Sequence, residues 1–428
     1  MMWRLLRPVA LLLAVCLLVP MLSLRAEAVF YAPSGHSLTI EGFNEFSQVK
    51  NVIVLVLDRL DFDYIEKALE EKPDMFEDLE GFTLFDNAVS GHARTVPALL
   101  HMFTGADDLM FQVNDKTLLK DAWTYGDREL LADVEKAGYS TEIYTKINYL
   151  FSDMAYAETY VDNYTSRWVE QKTIFIDEEK SMNPVSRQCR IKEPAQHRVD
   201  LYAENQVILG SYKEPKNDQK VYAFDDAHYY KLLSASTADR WQKTFKIYHF
   251  YGSHAPHTMT ADGKVNANGT NSTAQTLGNF FYLSVFFNRL KELGVYDQST
   301  IIITADHGAA IDDWAPVKKA TRVGLFYKPA GATGELKVSS APVCTSDIPA
   351  TILKAMGADY SAYGPALDET PEDSDRVRIY CKTSYIRGSG ENARAYEGYM
   401  YTYEIRGHAG DMKNWVMVKQ GMIPFGYN

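Results

Sequence analysis

Cysteine is scarce in this chain and poorly spaced for structural work. The 428 residues hold four. Cys16 falls in an apolar leader, which leaves Cys189, Cys344 and Cys381 far apart. There is no C-x-x-C, so a zinc knuckle and a thioredoxin-like motif are excluded, and three thiols cannot build a disulfide framework. One bridge is possible, between Cys344 and Cys381. Basic charge is also short: 44 Lys and Arg stand against 56 Asp and Glu, a net charge of −12. No basic stripe is available to release counterions along a duplex, which excludes a general nucleic-acid binder. Internal repeats and low-complexity tracts are lacking too. What is present, 46% hydrophobic and 23% charged residues, is a globular composition. The length suits one large α/β domain with an appended subdomain, or two ordinary domains. Tyrosine is plentiful at 28 residues, which accords with a carbohydrate-facing or cell-surface protein.

The one long uncharged run is N-terminal. Arg4 and Arg7 precede residues 8–24, which carry no charge before Arg25. The run sits at the lower limit for a spanning helix and slightly above a signal-peptide core. Ala26-Glu27-Ala28 has the small-x-small form of a cleavage site, so residues 1–28 read as a membrane anchor or a cleaved secretory signal. Either sends the bulk of the chain across the membrane, to the extracytoplasmic face if anchored or into the medium if cleaved. Leu13-Ala14-Val15-Cys16 is a poor lipobox because apolar residues follow it. Residues 29–49 form a turn-rich linker.

Beyond the linker, strand-like and helix-like stretches alternate. Asn51–Leu57 is a β-branched and leucine run apolar on both faces, as a central parallel strand requires. Asp61–Glu71 has helical spacing, Phe82–Phe85 is a short strand, and Ser90–Leu100 is a small-residue turn entering an apolar helix. Asp127–Lys136 reads as a helix and Ser140–Tyr144 as a strand. Residues 150–222 are irregular and read as an insertion, and Asn163, Asn268 and Asn271 begin glycosylation sequons by pattern. Then follow a helix at Asp226–Ser236, a strand at Thr244–Phe250, a helix at Thr273–Leu293 and a strand at Ser299–Thr304. A strand at Arg322–Tyr327 and a helix from Thr345 to Gly357 complete the alternation. Residues 50–375 thus predict a doubly wound α/β domain, its sheet mostly parallel with helices on both faces. Residues 376–428, with short strands at Val377–Tyr380, Gly398–Glu404 and Trp415–Lys419, predict a small C-terminal β subdomain.

Ligands of an open parallel sheet bind beyond the carboxyl ends of its strands. Asp58 ends one strand and Asp306-His307 follows another. Thr95, at the helix start, and His254 and His257, in a loop after Thr244–Phe250, also follow strands. Each has a plainer reading: Thr95 as a structural N-cap, Asp58 as the cap of the next helix, Asp306-His307-Gly308 as an ordinary turn, and the two histidines as exposed loop residues. Their joint placement at strand exits favours a site. Carboxylate and imidazole are donors preferred by Zn²⁺ or Mn²⁺, and a divalent cation would lower the pKa of the Thr95 hydroxyl.

In these elements the sequence resembles the alkaline phosphatase/sulfatase superfamily, and within it the lipoteichoic acid synthase-like and phosphoethanolamine transferase-like branch. The matches are Asn51–Asp58, Arg94-Thr95, Tyr251-Gly-Ser-His254-Ala-Pro, Thr304-Ala-Asp306-His307-Gly308 and Ser346–Leu353. The resemblance implies the alkaline phosphatase fold and one Mn²⁺ or Zn²⁺ ion on Asp58, Thr95, Asp306 and His307. It implies Thr95 as nucleophile, His254 as acid and base, and Arg94 and His257 on the substrate side. The implied activity moves a phosphoglycerol- or phosphoethanolamine-type group from a phospholipid or other phosphate ester to a cell-envelope glycan or lipid, through a phosphothreonine. Water as acceptor would make it a phosphodiesterase, phosphatase or sulfuric ester hydrolase. A binding protein with a decayed site is the non-enzymatic alternative. Two departures bear on the chemistry. Formylglycine sulfatases need Cys or Ser with Arg four residues on, where this chain has Thr95 and Leu99. The histidine-bearing phosphoglycerol set of the synthases has no counterpart in Thr141–Ile147.

Overall fold

The structure is a computed structural model, and it describes residues 30–31, 37–38, 42–107, 123–145, 159–166, 219–266, 268–309, 316–387 and 395–426. The leader, Cys16, Cys189 and most of the 150–222 insertion lie outside the described residues. Among the described residues no helix is long and apolar enough to cross a membrane.

Eight strands form the main sheet. Their order is Lys337–Ser339, Thr83–Phe85, Leu325–Lys328, Ser299–Thr304, Asn51–Leu57, Thr244–Phe250, Ser140–Thr145 and Asn163–Ser166. Every residue of Asn51–Leu57, Thr244–Phe250 and Ser299–Thr304 is buried. Such strands need cover on both faces, which only helical layers supply. The helices form two groups. Phe62–Glu71, Gln219–Ser234 and Ser272–Glu292 pack around the long third member, while Thr95–Thr104 and Leu130–Lys136 pack on Ile348–Met356. The mixed α/β fold with a mostly parallel sheet is the expected one.

One strand runs against expectation. The apolar stretch at Arg322–Tyr327 forms a strand only from Leu325 to Lys328, antiparallel to both its neighbours. Its first residues are diverted: Val323 bridges Asp61, and the Arg322 guanidinium lies over the Phe62 ring at 4.1 Å. The C-terminal strands are longer than their sequence pattern suggests, spanning Val377–Arg387, Ala395–Arg406 and Trp415–Gly426 in an antiparallel meander.

This meander docks through Tyr380, Tyr403, Ile405 and Trp415 onto Val89 and Ala93. Its first strand also grips the turn before Thr95: the Ala93 N–H donates to the Cys381 carbonyl at 3.0 Å, and the Cys381 N–H donates to that of Gly91 at 2.8 Å. The Cys344–Cys381 bridge does not form, and both residues are buried thiols outside any disulfide. The Val89–His92 stretch engages them separately, with Cys344 opposite Val89 and Cys381 opposite His92. Burial pushes both thiols up to about 12, so they stay protonated and inert.

Candidate active site

Strand register assembles the site. Val56 lies opposite His249 on one side and Thr304 on the other, so three neighbouring strands end at one level. The chain leaves them at Asp58, Tyr251 and Ala305. Asp58 does not cap the following helix. Asp61 does, its carboxylate accepting from the Asp63 N–H at 2.9 Å. The other Asp61 oxygen accepts from the Ala309 N–H at 2.6 Å and from the Thr321 hydroxyl at 3.1 Å, tying the Asp306–Ala309 turn to the helix start.

Thr95 is not a cap either. Arg94 holds the N-cap position with extended backbone and no side-chain capping bond, and Thr95 is the first helical residue. Its hydroxyl lies 3.3 Å from His307 Nε2. At this helix start the N–H groups of Thr95 and Val96 have no intrahelical acceptor, and Pro97 has no N–H, which leaves a small anion-facing surface.

The Asp306 turn is built for more than chain reversal. Asp306 Oδ1 accepts the N–H of Arg59 at 2.9 Å and of His307 at 2.8 Å. Its Oδ2 faces inward, 3.6 Å from His307 Nε2, and Asp58 Oδ1 lies at the same 3.6 Å. His307 Nδ1 sits 2.8 Å from the Gly308 carbonyl oxygen. That oxygen can only accept, so Nδ1 carries a proton, and Nε2 is the ring atom turned to the two carboxylates. Asp58, Asp306 and His307 are all buried, and their donor atoms lie within 4.8 Å of one another. Two carboxylates converging at this range repel unless a cation sits between them. The set of two carboxylate oxygens, one imidazole nitrogen and a nearby hydroxyl fits a divalent metal ion of the zinc or manganese kind.

The histidine loop is held against this cluster by backbone. The Asp58 N–H donates to the Phe250 carbonyl at 3.3 Å, and the Ser253 N–H donates to that of Asp58 at 2.9 Å. Gly252, at φ 61°, makes the crossing possible: a Cβ there would lie 2.6 Å from Asp58 N. His254 Nδ1 donates to the carbonyl of Ala255. His257 Nε2 pairs with the Ser253 carbonyl at 3.1 Å. Burial lowers the His257 pKa, with that bond opposing and the Arg59 charge adding to the shift. His257 thus braces the loop as a neutral ring.

Sequence reasoning missed three contributors. His249 is 3% exposed and its Nε2 lies 4.0 Å from Asp58 Oδ2. It reads as one more residue of an apolar strand, and only the register reveals it. Asp226, 1% exposed, accepts the N–H groups of Tyr251 and Gly252 at 2.9 and 2.8 Å, fixing the loop that carries His254. His92 is 1% exposed, and its Nδ1 accepts the Arg94 N–H at 3.0 Å, shaping the turn into Thr95. Gly91 completes that turn, since a Cβ would fall 2.2 Å from the His101 ring.

Burial first, then the charges of Arg94, His307 and His101, push the His92 pKa from 6.5 down to about 3. Folded His92 is therefore neutral where unfolded His92 binds a proton. Stability should fall as pH drops through the window from 6.5 to about 3 and stay level above it. In His92→Asn the amide oxygen still accepts from Arg94 but does not titrate. Urea unfolding free energies at pH 5.5 and pH 4 should show a slope shallower by about 1.4 kcal/mol per pH unit. An unchanged slope would assign the acid sensitivity to other groups.

With this geometry in view, comparison with known proteins gives the family. The Sulfatase family model matches residues 50–358, and the chain belongs to that family. It is an enzyme of the alkaline phosphatase superfamily, whose sulfatase-like members use a divalent metal. No curated protein sequence matches the chain. Among solved structures the chain is similar to the phosphonate monoester hydrolase SpPMH from Silicibacter pomeroyi, at 15% identity over 89% of each chain with a TM-score of 0.49. It is also similar to the PsFucS1 sulfatase from Pseudoalteromonas sp., at 14% identity over 89% of this chain and 83% of that one, TM-score 0.48. A protein in the alkaline phosphatase superfamily from Vibrio parahaemolyticus matches at 15% identity over 90% and 83%, TM-score 0.46.

Proposed function

We propose that this sulfatase-family enzyme opens a phosphodiester with Thr95 and passes the resulting phosphoryl group, of the phosphoglycerol or phosphoethanolamine type, to a glycan or lipid hydroxyl. The observation that carries the reading is the uncapped Thr95 hydroxyl, 3.3 Å from His307 Nε2 at the edge of the Asp58–Asp306–His307 cluster. Leu99 supports phosphate over sulfate, because the position where formylglycine sulfatases need Arg is 1% exposed and part of the core. Threonine also cannot yield the formylglycine aldehyde that cysteine or serine does.

A Mn²⁺ or Zn²⁺ ion held by Asp58, Asp306, His307 and Thr95 would supply Lewis acidity that lowers the hydroxyl pKa and offsets phosphoryl charge. Thr95 Oγ, its hydroxyl proton lost to water before attack, bonds to phosphorus as the bond to the departing alcohol oxygen breaks, and it is released again as the same alkoxide in the second step. Protonated His254 gives that oxygen its Nε2 proton. The neutral ring then takes the proton of the acceptor hydroxyl as its oxygen displaces Thr95 Oγ from phosphorus. Arg94 and the free N–H groups at the helix start bind phosphoryl oxygens throughout. The apolar leader would place this chemistry on the outer face of the cell membrane, beside a phospholipid donor. Water in place of the acceptor makes the same residues a phosphodiesterase.

The test is a trapping experiment with bis(4-nitrophenyl) phosphate and the metal-loaded protein, quenched in acid and digested. A phosphoryl adduct on the peptide bearing Thr95 is expected. Nitrophenol release with the adduct on another residue, or with none, would overturn the proposal. If glycerol or ethanolamine accelerates loss of the adduct the enzyme is a transferase, and if neither does, water is the acceptor.

A further inference from the structure

Arg59 is the one non-glycine residue with positive φ among the described residues, at 61°. The left-handed region costs a residue with a side chain about 1–2 kcal/mol, so neighbouring contacts must hold it there. Two of them involve only backbone: the Arg59 N–H donates to Asp306 Oδ1 at 2.9 Å, and its carbonyl accepts from the Asp61 N–H at 2.8 Å. Glycine would make both bonds without strain. What arginine adds is the guanidinium, and its position is informative.

Nη2 donates to the Ala309 carbonyl at 3.1 Å, so the head lies over the end of the Asp306–Ala309 turn. Its charge reaches His257, whose pKa is lowered by burial first and by Arg59 as well. It also reaches Tyr64, where burial raises the phenol and Arg59 opposes that rise. The His257 and Tyr64 rings meet edge-on at 6.2 Å. The guanidinium therefore sits where residues 58–61, 253–257 and 306–309 meet. Its Nε is buried with no hydrogen-bond partner among the described residues. Among the described residues the acids nearby are engaged elsewhere: Asp61 accepts from Asp63, Ala309 and Thr321, and Asp63 pairs with Lys319. A cation held under strain beside a divalent-metal site is repelled by the metal unless an anion lies near both.

We infer that Arg59 is an anion subsite which selects substrates carrying a second negative group beyond the reacting phosphoryl, a phosphate or sulfate on the retained or departing alcohol. The inference rests on the phosphodiester reading above and names its substrate class. Guanidinium suits this role because its fork matches phosphate and sulfate oxygens. The anion could belong to a lipid headgroup or to a glycan.

The experiment compares three 4-nitrophenyl phosphodiesters whose second alcohol is ethanol, glycerol phosphate or a sugar sulfate. The wild type should favour one or both charged diesters over the ethyl diester by about tenfold in KM, and the favoured arm tells lipid-type from glycan-type substrate. In Arg59→Gly, which suits φ 61° and keeps the N–H to Asp306, that ratio should fall to about one; Arg59→Lys should keep part of it. A wild-type ratio near one, or a ratio that survives in Arg59→Gly, would overturn the subsite. Failure to turn over any of the three would instead overturn the phosphodiester reading. Calorimetric Kd ratios for the same three ligands then decide Arg59 by the same criterion.

Discussion

Thr95→Ala is expected to lose at least about 10⁴-fold in turnover, the scale seen when a covalent nucleophile is removed, while folding and metal content survive. The second half of that expectation makes the first interpretable. Thr95 is half-buried at the first helical position, and Arg94 rather than Thr95 occupies the N-cap. No capping bond is lost, and alanine favours the helix by a few tenths of a kcal/mol. The carboxylates and imidazole of Asp58, Asp306 and His307 stay in place, so bound metal should drop little by elemental analysis. Thr95→Ser, which keeps the oxygen but frees its rotamer, should retain measurable turnover. Full activity in Thr95→Ala would remove the nucleophile assignment, and a lowered unfolding midpoint would restore Thr95 to a structural part.

The central strands were legible because burial on both faces leaves an unbroken apolar run that few other environments tolerate. Asn51–Leu57 and Ser299–Thr304 are such runs, and the residues just after them could be picked as site candidates from sequence alone. What a run does not disclose is register. His249 became visible only when its strand aligned with Val56, and Asp226 only when its helix met Tyr251 and Gly252. Direction is equally hidden. Leu325–Lys328 is as apolar as the parallel central strands but reversed, and the chain before it is anchored through Val323 and Arg322. The ambiguity over Asp58 was one of identity. An acid after a strand can cap a helix or hold a ligand, and three residues of loop let Asp61 take the first role and leave Asp58 open to the second. Arg59 escaped for a similar reason, since positive φ at a non-glycine residue has no pattern in sequence.

Asp58→Asn should move stability in opposite directions with and without metal. In the metal-free protein two carboxylates and an imidazole nitrogen are packed within 4.8 Å of one another. Both carboxylates belong to buried residues, Asp58 at 1% and Asp306 at 0% exposure. Like charges at this separation oppose each other strongly in a poorly solvated site, and an amide at position 58 removes one of them with nearly the same shape. The chelated variant should therefore be more stable than the chelated wild type, by about 1–2 kcal/mol, a trade of stability for function common at active sites. Adding Mn²⁺ or Zn²⁺ should reverse the order, because ligand binding to the native state stabilises by mass action and the neutral amide is a far weaker donor. Turnover should fall at least about 10³-fold at any metal concentration that saturates the wild type, through loss of the metal that activates Thr95. Thermal melts of both proteins, each with chelator and with excess metal, give four midpoints whose ordering decides the matter. If the chelated variant melts below the chelated wild type, Asp58 is a structural hydrogen-bonding group rather than half of a carboxylate pair awaiting a cation.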